Sequence, residues 1–356
     1  MFFRNLYVSI LASSSVEDFA MSWSYAKAGL DLSKHKSMHN YVLELLERLA
    51  KDLGVEISGL GGYGTAIRIG SYEMMLHVDG VGTKTIVLEK LGKLKVAGWD
   101  CVAMNVNDVV CDGGIPIALV DYISMPRDDV EIFREVIDGL VEAARIAKVP
   151  ILGGETAILR DLVSGVDVVC TVLAIKKNFV NEARVGDIVI GIESWGLHAN
   201  GYTLVRRVLE SSGYHEYRGV IDDVDLGEEL SKPTAIYSNL VLELITYNLV
   251  HSIAHITGGA YTKVKRILRE TDMVLDMPKP PKIFEVIMRL GNISIEEMYR
   301  VFNMGIGMII TTSLENQEEV LKIVERYGFK AHILGKVVTG DGKVRLKLFN
   351  NTLLVF

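Results

Sequence analysis

Cysteine is scarce in this chain of 356 residues: three occur, Cys101, Cys111 and Cys170, each inside an apolar segment. With no CxxC pair and no metal-ligand spacing, they exclude a disulfide framework and fit buried thiols in a reducing cytoplasm. Long apolar runs are missing as well. The longest stretches, such as Val166 to Ile175, reach about half of the roughly 20 residues that cross a bilayer, so no membrane partner is expected. Positive charge is in deficit, with 38 Lys and Arg against 45 Asp and Glu and a net charge of −7. That balance argues against nucleic acid as a partner and leaves an anionic small molecule to be held by local positive potential. No short-period repeat or low-complexity segment suggests a solenoid. Apolar residues, by contrast, make up 49% of the chain, enough at this length for about two domains with cores of their own.

The start of the chain differs in character. Phe2 to Leu11 is apolar with Arg4 near its beginning, but Asn5 interrupts it and Glu17-Asp18 follow, unlike a secretory signal. Since a second methionine, Met21, follows, residues 1–20 are expected to be an upstream extension, poorly ordered or loosely docked.

The most informative string is His77-Val-Asp-Gly-Val-Gly-Thr-Lys84, placed after an expected strand from Glu73 to Val78. A carboxylate, two glycines and a lysine in close succession suit a polyphosphate. Asp79 can hold a divalent cation, Gly80 and Gly82 let the backbone approach an anion, and Lys84 supplies a mobile charge. The pattern is not Walker A, which needs four residues between its first glycine and its Gly-Lys pair. Standing alone, the string could equally be a glycine-rich turn with a surface lysine.

Periodicity places the surrounding elements. His39 to Leu53 carries a helical apolar stripe that ends at Gly54. Val96 to Val110 reads as a buried helix on which Asn105, Asn107 and Asp108 are anomalous; buried polar side chains need partners, either a cation or phosphate or a neighbouring loop to cap. A strand from Ile115 to Ile123, a helix from Asp129 to Ala147, a strand from Val149 to Leu152 entering a glycine turn at Gly153-Gly-Glu155, and a β-branched strand from Val166 to Ile175 complete a first half. Lys176 to Arg184 reads as a linker, and Gly186 to Ile192 opens a second α/β unit. Its expected helices are Tyr202 to Glu210, Thr234 to Tyr247, Tyr261 to Arg269 and Gln317 to Tyr327. Its expected strands lie near Met308 to Thr312 and His332 to Leu334.

Further clusters of glycine, carboxylate and amide punctuate this pattern: Ala28-Gly-Leu-Asp31, Gly59-Leu-Gly-Gly-Tyr-Gly64, Asn105-Val-Asn-Asp108 with Asp112-Gly-Gly114, Gly153-Gly-Glu-Thr156, Gly196-Leu-His-Ala-Asn-Gly201, His255-Ile-Thr-Gly-Gly259 and Phe302-Asn-Met-Gly-Ile-Gly-Met308. In order and spacing, from about Tyr25 to about Gly335, they closely resemble phosphoribosylformylglycinamidine cyclo-ligase, the aminoimidazole ribonucleotide (AIR) synthetase of purine biosynthesis. The resemblance implies an α/β chain of the α+β type with the two-domain AIR synthetase-like fold. An ATP-binding and dimerisation domain would span residues 21–176 and form a dimeric β-barrel with its partner; a C-terminal α/β domain would span 177–343, with a tail at 344–356. It implies a cytoplasmic homodimer that uses ATP and Mg²⁺ to convert the small-molecule substrate formylglycinamidine ribonucleotide (FGAM) to AIR.

Carried onto this chain, the resemblance implies that Asp79, Asp108 and Glu155 organise Mg²⁺. Gly61, Gly62 and Gly64 would form a loop over ATP, and Gly80, Gly82, Thr83, Lys84 and Asn107 would complete the nucleotide site. Each carboxylate could instead cap a helix, and each glycine could be a plain turn residue. His198, Asn200 and Gly201 precede an expected helix, as do Thr257, Gly258 and Gly259, so both strings are anion-site candidates for the substrate. His198 is also expected to move a proton if it titrates near neutrality, alongside Lys84 and Asp108 as catalytic groups. The chain departs from the family pattern at Trp195, Ala199, Ile158-Leu-Arg160 and Ala260. Selenophosphate synthetase and HypE, which share the architecture, would want a reactive cysteine within residues 54–70 or at the C-terminus, and neither place holds one.

Overall fold

The computed structural model describes residues 22–356, so the extension expected at residues 1–20 lies outside the described residues. The first half runs α1 (Leu32–Asp52), β1 (Ile57–Ser58), β2 (Thr65–Ile69), β3 (Tyr72–Gly80), α2 (Lys84–Leu91), α3 (Lys95–Cys111), β4 (Gly114–Met125), α4 (Val130–Ala147), β5 (Ile151–Ile158) and β6 (Asp167–Lys176). Its strands form one sheet in the order β1-β2-β3-β6-β4-β5, antiparallel except for the β4–β5 pair. Val168, Cys170, Val172 and Ala174 alternate along β6 onto one buried face, as a two-residue period requires. Against that face pack α3 and α4. The two helices cross where glycine meets glycine: a Cβ at Gly98 would lie 2.0 Å from the carbonyl oxygen of Val136, and one at Gly139 would lie 1.8 Å from that of Lys95. Any side chain there would force the helices apart. Asp129 caps α4, accepting hydrogen bonds from the amides of Glu131 and Ile132.

The opposite sheet face is bare, with Ile69, Leu76, Val78, Val120 and Tyr122 exposed upon it. Within one chain this sheet is open: no closed barrel exists among the described residues, and the barrel expected from the family resemblance is not a property of the single chain. The glycine turn expected at Gly153-Gly-Glu155 is also replaced, since all three residues lie inside β5, paired with Val120, Asp121 and Tyr122 of β4.

The second half contains β7 (Ile188–Glu193), α5 (Tyr202–Ser211), β8 (Val220–Ile221), β9 (Val224–Asp225), α6 (Leu226–Leu230), α7 (Ser238–Thr246), β10 (Ser252–His255), a 3₁₀ helix (Ala260–Ile267), β11 (Thr271–Asp276), α8 (Lys282–Leu290), α9 (Ile295–Val301), β12 (Ile306–Thr312), α10 (Gln317–Arg326), β13 (Ala331–Thr339), β14 (Val344–Lys347) and β15 (Leu353–Val355). Seven of these strands form the sheet β10-β12-β7-β13-β11-β14-β15. The segment read as a tail therefore supplies two strands: Met273 to Asp276 pair in parallel with Val344 to Lys347, and Arg345 to Lys347 pair with Leu353 to Val355. Helix α7 begins at Ser238, later than the expected Thr234, because residues 234–237 are occupied in docking the two halves together. The chain ahead of α1 also joins the second half, with the amide of Trp23 bonded to the carbonyl of Gly291 and that of Tyr25 to the Glu297 carboxylate.

Candidate active site

Strand β3 and helix α3 deliver the acidic residues to one place. His77 and Asp79 are two apart on β3 and so share a face, and Asp108 projects from α3 toward them. One ligand atom from each of His77, Asp79 and Asp108 lies within 4.8 Å of the others. His255, at the end of β10, donates or accepts through Nδ1 at 2.6 Å from Asp108 Oδ1, which ties the second domain to this cluster. Burial alone would raise the Asp108 carboxyl, but the hydrogen bond and charge of His255 outweigh it and hold the group below its usual range. Asp79 goes the other way. Burial and the neighbouring Asp108 charge raise it, and the Gly80 amide bonded to its Oδ1 at 2.8 Å offsets this only in part. Of the two, Asp79 is the carboxylate whose buried charge is the less compensated.

Lys263 answers part of that deficit. Its ammonium donates to Thr257 Oγ1 at 2.9 Å; burial lowers its pKa while Asp108 and Asp79 act to raise it. Thr257-Gly-Gly259 lies beside the other loop, since a Cβ at Gly258 would come within 2.9 Å of Asn200 Oδ1. Above the site the glycine loop wraps a carboxylate of its own: Asp112 Oδ2 accepts from the amides of Tyr63 at 2.7 Å and Gly64 at 3.1 Å. Gly62 must remain bare because a Cβ there would meet that oxygen at 2.8 Å. The guanidinium of Arg266 stacks 5.2 Å from the Tyr63 ring centroid. Several buried polar atoms here lack a hydrogen-bond partner: Tyr63 Oη, His77 Nε2, Asn105 Oδ1, His198 Nδ1 and His255 Nε2. Such atoms are normally rare, and their gathering around Asp108 marks a place suited to a polar ligand.

Lys84 is not free to touch a phosphate. It is fully buried, and its three N–H groups go to Asp100 Oδ2 at 2.6 Å, the His198 carbonyl at 2.9 Å and the Lys232 carbonyl at 2.7 Å. Those acceptors come from both domains, so Lys84 is a joint between them. Asn107 is a second joint: its amide donates to the Ala235 carbonyl at 2.7 Å and accepts from the Tyr237 amide at 2.8 Å, and the side chain is fully buried between the two halves. Thr83 meets Thr203 across the same boundary at 2.9 Å. Glu155 stands apart. It pairs in register with Tyr122, Val169 and Gly80 on the bare sheet face, whereas Asp79 and Asp108 lie on the helix side. Within one chain it does not join the acidic cluster.

His198 is 1% exposed, and its Nε2 accepts from the amides of Trp195 at 3.3 Å and Ala235 at 3.4 Å. Burial, reinforced by His255 and Lys84, drives its pKa well below the ordinary value, so it remains neutral at physiological pH and does not titrate there as the sequence suggested. Its backbone sits in the left-handed region at φ 61°, unusual for a residue with a side chain, and Lys84 holds its carbonyl in place. Gly201 ends the loop at φ 82°, where a Cβ would collide with Phe302 at 2.3 Å. Sequence reasoning missed His77, Lys263 and the pairing role of His255. The signal for the first was its period-two spacing from Asp79; for the other two it was the run from His255 through Thr257 to a cationic short helix.

The profile described as AIR synthase related protein, N-terminal domain, matches residues 61–175, and its C-terminal counterpart matches residues 184–347. Together they place the chain in the two-domain AIR synthase related class. The chain is 43% identical to the phosphoribosylformylglycinamidine cyclo-ligase of Saccharolobus solfataricus over 94% of its own length and 99% of the relative's. It is 40% identical to that of Thermococcus kodakarensis over 91% and 98%. It belongs to the phosphoribosylformylglycinamidine cyclo-ligase family. Solved structures share the fold at low identity: a HypE–HypF complex (TM-score 0.62, 17% identity, 88% of this chain and 98% of that one) and a ThiL complexed with AMPPCP and TMP (TM-score 0.59, 16% identity, 85% and 92%).

The Lys84 joint is open to test. Lys84→Met leaves the Asp100 carboxylate buried without its counter-charge and should cost about 3–5 kcal/mol of unfolding free energy. The double variant Lys84→Met/Asp100→Leu should recover a large part of it. Chemical denaturation of both measures this, and a single variant within about 1 kcal/mol of the original chain would remove the joint from the account.

Proposed function

We propose that the cleft holding Asp79, Asp108, Asn200, Thr257 and Lys263 is where this cyclo-ligase closes the imidazole ring of AIR from FGAM at the expense of ATP. The observation that carries the placement is the buried pair of carboxylates, Asp79 the less compensated of the two, faced by Lys263 and by two glycine loops. The chemistry fits such a cleft. An amide oxygen is a poor leaving group until it accepts the γ-phosphoryl group of ATP; the amidine nitrogen of the same molecule can then attack the activated carbon, expel phosphate and close the ring, an intramolecular step with a large effective-concentration advantage. No protein nucleophile is required. The work left to the chain is orientation and charge neutralisation.

Asp79 and Asp108 fit Mg²⁺ by charge and by hard oxygen donors, and Asn105, whose Oδ1 has no partner, is tied to the Asp79 backbone carbonyl through its amide nitrogen. When bound, Mg²⁺ would neutralise the phosphates of ATP during transfer. Lys263 is placed to meet a phosphate in the role first expected of Lys84. Asp112 fixes the glycine loop through the amides of Tyr63 and Gly64, and Asn200 with Thr257-Gly-Gly259 would orient the formylglycinamidine. His198 and Lys84 act as positioning residues that hold the Asn200 loop to the first domain.

Two copies are proposed to join through the bare faces of their first sheets, where Leu76, Val78, Val120 and Tyr122 are exposed, and so to complete the family's barrel. Sedimentation velocity at micromolar concentration should give a dimer, and Leu76→Glu/Val78→Glu should give a folded monomer. A wild-type monomer would end this part of the reading.

Activity is tested by incubation with ATP, Mg²⁺ and FGAM and assay of the aminoimidazole product. Asp79→Asn, which keeps size but removes charge, should lower turnover at least tenfold, about 1.4 kcal/mol of transition-state stabilisation, with melting temperature little changed. Original rates for that variant at saturating ATP and Mg²⁺ would move the cation site elsewhere.

A further inference from the structure

We propose that His77 turns the cation site of this chain into a mixed nitrogen and oxygen site, which binds divalent transition metals such as manganese or cobalt in preference to magnesium. The inference rests on the reading that Asp79 and Asp108 hold the cation, and it adds a ligand that reading does not need. His77 Nε2 lies 3.4 Å from Asp108 Oδ2, and with Asp79 the three groups converge within 4.8 Å. That nitrogen is buried and has no hydrogen-bond partner. A histidine serving only as a structural prop would ordinarily spend both ring nitrogens on donors or acceptors.

A second observation points to the same spot. Asn105 is fully buried, one turn before Asp108 on α3, and its amide nitrogen donates to the Asp79 carbonyl at 3.0 Å and the Cys101 carbonyl at 2.9 Å. Both donors of the amide are thereby used on backbone, while Oδ1 of the same group is left without a partner beside Asp79. The outer layer is complete on one side only. His255 occupies Asp108 Oδ1 and leaves Oδ2, the oxygen facing His77, without a hydrogen bond. An imidazole on the far oxygen of a ligating carboxylate fixes that carboxylate's orientation, as partners of metal ligands do.

Donor chemistry then decides the metal. Magnesium favours oxygen donors and retains water, whereas imidazole nitrogen suits first-row transition ions, whose affinity for nitrogen sites rises from manganese through cobalt and nickel. An imidazole nitrogen beside two carboxylates gives manganese or cobalt a donor that magnesium uses poorly.

The test uses the full metal-stripped chain, with and without a non-hydrolysable ATP analogue. Calorimetric titrations with MgCl₂, MnCl₂ and CoCl₂ should show manganese and cobalt binding at least about tenfold tighter than magnesium. In His77→Ala that gap should close through loss of manganese and cobalt affinity, with magnesium affinity within about twofold of the original. Pulsed electron paramagnetic resonance of the manganese-loaded original chain should show imidazole nitrogen coupling, which decides the matter even if the variant does not fold. Equal affinities for the three ions, or manganese bound without nitrogen coupling, would overturn the role of His77 while leaving the Asp79 and Asp108 site standing. Failure of every cation to bind, with or without nucleotide, would overturn both.

Discussion

A single ammonium group, that of Lys84, decides how the two halves of this molecule meet. Burying a lysine is unfavourable unless each of its donors finds an acceptor and its charge finds a counter-charge. Here both conditions are met, and they are met by different parts of the chain: Asp100 on the adjacent helix, and the carbonyls of His198 and Lys232 from the second domain. The arrangement can be satisfied in one relative position of the domains. A sliding or opening of the interface would leave a buried cation short of partners, so the pair contributes specificity of docking more than net stability.

Helix α3 extends the same logic along its length. Asp100 accepts the amide of Thr234 as well as Lys84, Trp99 donates to the Thr234 carbonyl, and Asn107 clamps the backbone at Ala235 and Tyr237. A segment of the second domain is thus held straight against α3, and the loop carrying His198 and Asn200 is suspended from it. Because Asp108 follows Asn107 on this helix, the cation cluster and the domain joint are parts of one rigid element. The distance between the carboxylates and the Thr257-Gly-Gly259 loop is therefore fixed by side chains that take no part in chemistry.

Much of this was legible in the sequence, and the failures have a common cause. The helix at Asp129 to Ala147 and the strand at Val166 to Ile175 are found as α4 and β6, because those signals are local, whereas the apolar stripe at His39 to Leu53 lies on α1, which buries none of its residues. The polar residues on α3 were recognised as needing partners, but not which partners. Asn107 was read as a nucleotide contact and is a backbone clamp across 128 and 130 residues of sequence. Lys84 was read as a mobile charge and is held by three acceptors in the domain joint. The pairing of His255 with Asp108 spans 147 residues. Residue type announces that a partner is needed; only the packing of one domain on another selects it. Glu155, read into a glycine turn, lies inside β5 on the bare sheet face, where the two-residue period of a strand decides which side of the sheet its side chain takes.

The nucleotide's phosphates are proposed to be met by Lys263 and the glycine loop near Asp79 and Asp108, while Lys84 stays within the domain joint. A crystal structure with a non-hydrolysable ATP analogue and Mn²⁺ tests it most directly, through the anomalous signal of the metal and the position of the triphosphate. The account expects the metal between Asp79 and Asp108, a phosphate within reach of Lys263, and the Lys84 ammonium still bonded to Asp100. A triphosphate contacted by Lys84, with the Asp100 pair broken, would contradict it.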